Sequence, residues 1–202
     1  MENLAYEYHK NGYVIIKNVL NENEVNSLRE YINTNIDRPG KKFVSSKELL
    51  KYKNIYSLLF REKLLNSCKQ IMGEEFYLIP DFHIHMNLFG SKLKSYKPAW
   101  HVDSGSEGNK KYLTADNYKF AKLGIYLQDN LETYGGGIYA LPKGHKFYLK
   151  FLPIPFQFLL KRIINYLMIS FFSEMVQTKK GDAIIFDSRL PHASVLPKKE
   201  KL

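Results

Sequence analysis

Apolar residues recur at two spacings along this chain, and the change from one to the other falls just past Gly73. Before it the period is helical. Val25, Leu28, Ile32 and Ile36 stand three and four apart and make one apolar stripe. Asn21 precedes that stripe as an N-cap with Glu24 in the capping-box position, so a helix is expected to start there and to end before Pro39-Gly40. A shorter helix over residues 2–11 is stopped by Gly12, and Tyr13-Val14-Ile15-Ile16 then reads as a buried strand. A further helical stretch runs from about Ser46 to Met72 and closes at Gly73. Beyond it come short β-rich runs over residues 76–79, 82–89, 119–128, 137–141 and 183–186, bounded by Pro, Gly, Asp and Asn. Helices first and strands later predict an α+β chain with a mainly β core, its strands closed into a sandwich or barrel.

One segment departs from both patterns. Residues 151–172, FLPIPFQFLLKRIINYLMISFF, are apolar enough to raise the question of a membrane span. Lys161-Arg162 stand in its middle, and Pro153 and Pro155 confine any helix to about Phe156 onward, whereas a span needs about 20 mostly apolar residues. A core or lid helix fits the segment best, with contact at a membrane surface as the second reading. No repeat or linker divides the 202 residues, which fit a single domain, 1–202, able to bury a core. Aromatic packing carries much of that core, with 15 Tyr and 13 Phe available. The lone cysteine, Cys68, excludes an internal disulfide and a cysteine-rich metal cluster, and its helical setting reads as apolar packing. The first residues carry no signal pattern, so the expected location is cytoplasmic, with membrane association left open through 151–172. A net charge of +10 favours acidic partners. The basic residues are scattered, however, and no helix-turn-helix, zinc-finger or RNA-binding signature accompanies them, so no nucleic-acid partner is expected.

Chemistry concentrates at three places: His101-Val102-Asp103, Tyr134-Gly135-Gly136-Gly137 and Pro191-His192. In an extended segment side chains two apart share a face, so His101 and Asp103 can reach one cation together. Two histidines and one carboxylate on one face of an octahedral iron leave three positions open, two for a keto-acid chelate and one for dioxygen. The second histidine has to come from a distant strand, and His192 is the candidate. The His-x-Asp pair alone is a weak signal, since chance supplies about 0.2 such matches in a chain of this composition. A hydrogen-bonded surface pair is the plain alternative. The glycines lack the strand–turn–helix spacing of a phosphate loop and read as a hairpin turn. His83 and His85 alternate onto one face with Asn87, a face that either borders a pocket or bonds within the sheet.

The order of these segments resembles the phytanoyl-CoA dioxygenase family. GYVIIKNVLNENEVNSLREYI is similar to that family's opening strand, capped turn and helix, and in PAWHVDSGSEG a tryptophan precedes the His-x-Asp pair. KLGIYLQDNLETYGGGIYALPKGHK resembles its paired core strands and the turn that follows them, and KKGDAIIFDSRLPHAS resembles its Gly-Asp turn, apolar strand and distal histidine. The resemblance implies a double-stranded β-helix (a cupin-like jelly roll) with N-terminal helices packed on one sheet. It implies Fe(II) held by His101, Asp103 and His192, with 2-oxoglutarate as co-substrate and dioxygen as oxidant. The implied reaction is hydroxylation of a small or lipid-linked organic substrate with decarboxylation of 2-oxoglutarate to succinate, and the retained Asp103 argues against halogenation. Tyr126 occupies a position that lines the co-substrate pocket in the family, His85 and Asn87 are expected to border that pocket, and His145 orders its turn. Arg189, just before the distal histidine, is expected to meet an acidic substrate group. Positive charge and the apolar 151–172 segment tilt the expected substrate toward an acidic or lipid-like molecule. One departure stands out: the family's arginine that anchors 2-oxoglutarate has no counterpart in HASVLPKKEKL. The expectation is a chain truncated before its final strand, the rival being that Lys198, Lys199 or Lys201 takes the role. Two other classes stay open: a catalytically idle β-helix serving as a binding module, and a cupin-like metalloenzyme using no keto acid.

Overall fold

Caps written into the sequence set the helix ends in the computed structural model, which describes residues 3–35, 47, 50–77, 98–103, 120–146, 167 and 169–198. Helix α1 (Leu4–Asn11) opens on Asn3, whose side chain accepts the Tyr6 N–H at 3.0 Å. It closes on Gly12, left-handed at φ 86°, whose N–H reaches the Tyr8 carbonyl at 2.7 Å. A side chain at Gly12 would also overlap His145 Nδ1, so the position needs glycine twice over. Strand β1 (Tyr13–Ile16) follows at once. Helix α2 (Glu22–Asn35) begins with the expected capping box: Asn21 N–H donates to Glu24 Oε2 at 2.8 Å, and Glu24 N–H to Asn21 Oδ1 at 3.0 Å. Its stripe of Val25, Leu28 and Ile32 is buried.

The long helix expected up to Met72 is broken. A single helical turn, Lys53–Tyr56, tightens into the 3-10 turn Ser57–Phe60, and only then does α3 (Glu62–Met72) run unbroken. Arg61 turns extended between them and carries its guanidinium to Glu24 on α2, a contact that one continuous helix would redirect. On α3, Leu64, Ser67 and Ile71 face inward.

The strands form two antiparallel sheets. One has the order β1-β5-β2, with β2 at Ala121–Ile125 and β5 at Ala183–Asp187. The other has the order β4-β3-β6, with β3 at Ile138–Ala140, β4 at Glu174–Met175 and β6 at His192–Ser194. β5 is buried along its whole length because it has a core on each face. Ala183 and Ile185 point to the helices with Val14, Ile16, Val25, Leu28 and Leu64. Ile184 and Phe186 point the other way, toward Ala140, Val176, Tyr126 and Ile138, and so pack the two sheets together. The molecule is thus a mixed helix and sheet fold with helices on one sheet. Gly135, Gly136 and Gly137 all have positive φ, as the glycine run predicts, but they do not close a hairpin. They lead from the β2 side into β3, which belongs to the other sheet; a Cβ on Gly135 would collide with the Leu196 carbonyl. Residues 76–77 are not in a strand, and the run expected at 82–89 lies outside the described residues. So does most of 151–172, of which Leu167, Phe171 and Phe172 are exposed; no helix among the described residues is long and apolar enough to cross a membrane.

Candidate metal centre

His101, Asp103 and His192 meet where β5 passes into β6. His101 and His192 exchange backbone hydrogen bonds, 3.0 Å each way, which adds the segment around His101 to the edge of β6. Asp103 N–H donates to the Ser188 carbonyl at 2.9 Å, just past the end of β5. Two residues of one extended segment are therefore tied to two points of a single turn, and three potential ligand atoms lie within 4.8 Å of one another. His101 Nε2 stands 3.6 Å from Asp103 Oδ1, and His192 Nε2 stands 3.8 Å from the same oxygen. Both separations exceed a good hydrogen bond.

The other nitrogen of each ring is already engaged. His101 Nδ1 lies 2.9 Å from the Ala99 carbonyl, and His192 Nδ1 lies 2.9 Å from the Leu190 carbonyl. A carbonyl only accepts, so each Nδ1 carries a proton, and in the neutral form of the ring each Nε2 turns its lone pair to the shared space. His192 is buried, with Phe186 edge-on at 4.9 Å, and burial holds its pKa below the ordinary histidine value. It is neutral at neutral pH, as a ligand must be. Facial ligands about 2.1 Å from an ion stand about 3 Å apart, so small side-chain rotations would close the set around one divalent cation. The donor set fits iron.

Tyr126 follows β2 and packs its ring with Ile184 and Phe186 between the sheets; burial pushes its hydroxyl pKa up. His85 and Asn87, with His83, lie outside the described residues. The guanidinium of Arg189 forks onto Asp187, with Nε to Oδ1 at 2.9 Å and Nη2 to Oδ2 at 2.7 Å. Lys198 Nζ donates to the Glu132 carbonyl at 2.9 Å, while Lys199 and Lys201 lie outside the described residues. His145 sits in the 3-10 turn Gly144–Lys146 with Nε2 3.2 Å from the His9 carbonyl and Nδ1 buried without a partner among the described residues.

Sequence reasoning passed over Lys122. It pairs across the ladder with Phe186 and so lies on the inward face of β2, on the side of Tyr126 just after that strand. Strand parity alone, two and four residues along one run, was the available signal. Phe186 and Asp187 were read only as part of an apolar strand and its end, because their partners are set by the turn that follows.

Comparison with known proteins agrees with this architecture. The sequence model of the family described as phytanoyl-CoA dioxygenase (PhyH) matches residues 8–195, and the chain belongs to that family. Solved structures share the fold at low identity. The epimerase SnoN, solved in complex with Fe3+, alpha ketoglutarate and nogalamycin RO, matches with a TM-score of 0.71 at 16% identity, over 100% of this chain and 78% of its own. HygX from Streptomyces hygroscopicus, solved with iron bound, gives 0.68 at 17% identity over 100% and 82%. EctD from S. alaskensis, solved with 2-oxoglutarate and 5-hydroxyectoine, gives 0.66 at 16% identity over 97% and 70%. A search of curated protein sequences found no match.

Proposed function

We propose that the chain is an Fe(II)- and 2-oxoglutarate-dependent dioxygenase that hydroxylates a small organic substrate, on a double-stranded β-helix closed as a jelly roll. The observation that carries this reading is the convergence of His101, Asp103 and His192 within 4.8 Å, each Nε2 bare, in a chain of the phytanoyl-CoA dioxygenase family. Iron with 2-oxoglutarate and dioxygen supplies the oxidant: one oxygen atom enters the keto acid as it loses carbon dioxide to become succinate, and the other enters a substrate C–H bond as hydroxyl.

The chain's own residues hold and shape that chemistry. His101 and His192 offer Nε2 in fixed orientation, and Asp103 contributes the single negative charge, so a bound Fe(II) keeps net positive charge for a dianionic keto acid. Phe186 keeps water from the buried side of His192. Lys122, on the inward face of β2, and Tyr126 just after that strand line the space for the co-substrate, with Lys122 giving a cation for a carboxylate. A net charge of +10 and exposed Leu167, Phe171 and Phe172 favour an acidic or lipid-like substrate met near a membrane surface.

A second reading draws on SnoN, an epimerase: the same site would take a hydrogen from one face of a stereocentre and have one returned to the other, delivering no hydroxyl, with an added reductant such as ascorbate supplying the two electrons that hydroxylation would draw from the substrate. Incubation with Fe(II), 2-oxoglutarate, dioxygen and a panel of acidic and acyl substrates separates the readings. Succinate release with a product heavier by one oxygen is expected, lost in His192→Ala. A product of unchanged mass favours epimerisation. Bound iron with no succinate from any substrate favours the idle module or a keto-acid-independent metalloenzyme.

A further inference from the structure

An ion pair closes the turn that delivers His192. β5 ends at Asp187 and β6 begins at His192, so residues 188–191 alone must place both His192 and the carbonyl on which Asp103 docks. Asp187 is 3% exposed, and its carboxylate accepts three donors of one residue: Arg189 N–H at 2.8 Å, Nε at 2.9 Å and Nη2 at 2.7 Å. A planar fork satisfies both oxygens at once, which a lysine cannot do. The backbone tightens the same turn, with Leu190 N–H on the Asp187 carbonyl at 2.8 Å and Asp187 N–H on the Gly12 carbonyl at 2.9 Å. Held in this way, Ser188 presents its carbonyl to Asp103 and donates its N–H to Phe120 at 3.1 Å, while His192 pairs with His101. Every member of the triad is backbone-tied to this turn or to the strand it starts.

We infer that Asp187 and Arg189 are positioning residues of the metal centre: their pair fixes the turn at 188–191 and, through it, the convergence of Asp103 and His192. Arg189 then acts on Asp187 and does not serve the substrate. The consequence for metal binding rests on the iron reading above; the consequence for the turn does not.

The test uses Asp187→Ala, Arg189→Gln and Arg189→Lys in the full chain, with two readouts. Amide hydrogen exchange on the metal-free protein reports the turn, and Mn(II) titration followed by electron paramagnetic resonance reports the site. In Asp187→Ala and Arg189→Gln, exchange should quicken at His101, Asp103 and His192 while the amides of β1, β5 and β2 stay protected. Mn(II) affinity should fall by about 10–100-fold, the range typical of lost outer-sphere support. Arg189→Lys should recover part of both. Unchanged exchange and Mn(II) affinity in Arg189→Gln, with only a raised KM for 2-oxoglutarate, would put Arg189 on the ligand and overturn the inference. Loss of protection throughout the first sheet would make the pair a general stability element and overturn it equally. A wild-type chain that binds no Mn(II) would remove the iron reading, and the exchange result would then decide the positioning claim by itself.

Discussion

His101 and His192 each hold Nδ1 on a carbonyl at 2.9 Å, so their bare Nε2 atoms face a carboxylate oxygen at 3.6 and 3.8 Å. Those two separations are too long for good hydrogen bonds and suit ligand bonds to one shared cation. Asp103→Ala should therefore lower Mn(II) affinity by more than the ~100-fold of an outer-sphere loss. Asp103 is only half-buried, so denaturant unfolding of the metal-free variant should change by less than about 1 kcal/mol. His145 yields a prediction of a different kind. Burial holds its pKa below the ordinary 6.5, so below that pH the unfolded chain takes a proton that the folded chain refuses. Stability is full above pH 6.5 and falls as pH drops toward the lowered value. His145→Gln should lose less stability than wild type between about pH 7.5 and about pH 5.5 in urea unfolding; equal losses would count against the buried neutral imidazole. His101 and Asp103 were legible as a pair because their relation is local, two residues along one extended segment. His192 was legible only through the order of segments, since its contact with His101 spans about ninety residues and the turn that sets it leaves no periodicity.

At the scale of elements, legibility followed the range of the forces involved. The capping box at Asn21 and Glu24, the glycine stop at Gly12 and the apolar run of β5 are read within a few residues, and each stands where the pattern puts it. The break before α3 was not legible, because Arg61 leaves the helix to meet Glu24, 37 residues away. β4 and β6, two and three residues long, pair with β3 and carry too few positions to show a period. The glycine run was read as a hairpin because its residue types allow one; which sheet receives the next strand is a tertiary matter. Two substitutions test the two cores of β5. Ile185→Ala empties a site facing the helices and should destabilise by about 2–5 kcal/mol in urea unfolding with metal affinity unchanged. Ile184→Ala, on the face shared with Phe186 and Tyr126, should cost a similar amount and also weaken 2-oxoglutarate binding.

For the whole molecule, the candidate metal centre joins the end of one sheet to the edge of the other, since Asp103 docks on Ser188 beyond β5 and His101 on His192 of β6. A bound ion should therefore stabilise the entire fold and not one loop. At a free concentration 100 times its Kd it should add about 2.7 kcal/mol to unfolding, and the increment should vanish in His192→Ala. Oxidation of any substrate by this molecule requires that His101, Asp103 and His192 hold iron for a keto acid. Anaerobic titration of the chain with Fe(II), with and without 2-oxoglutarate, tests that requirement most directly. A weak visible charge-transfer band should appear only with both present and be lost in His192→Ala. Iron that binds with no spectral response to 2-oxoglutarate would contradict the proposed function.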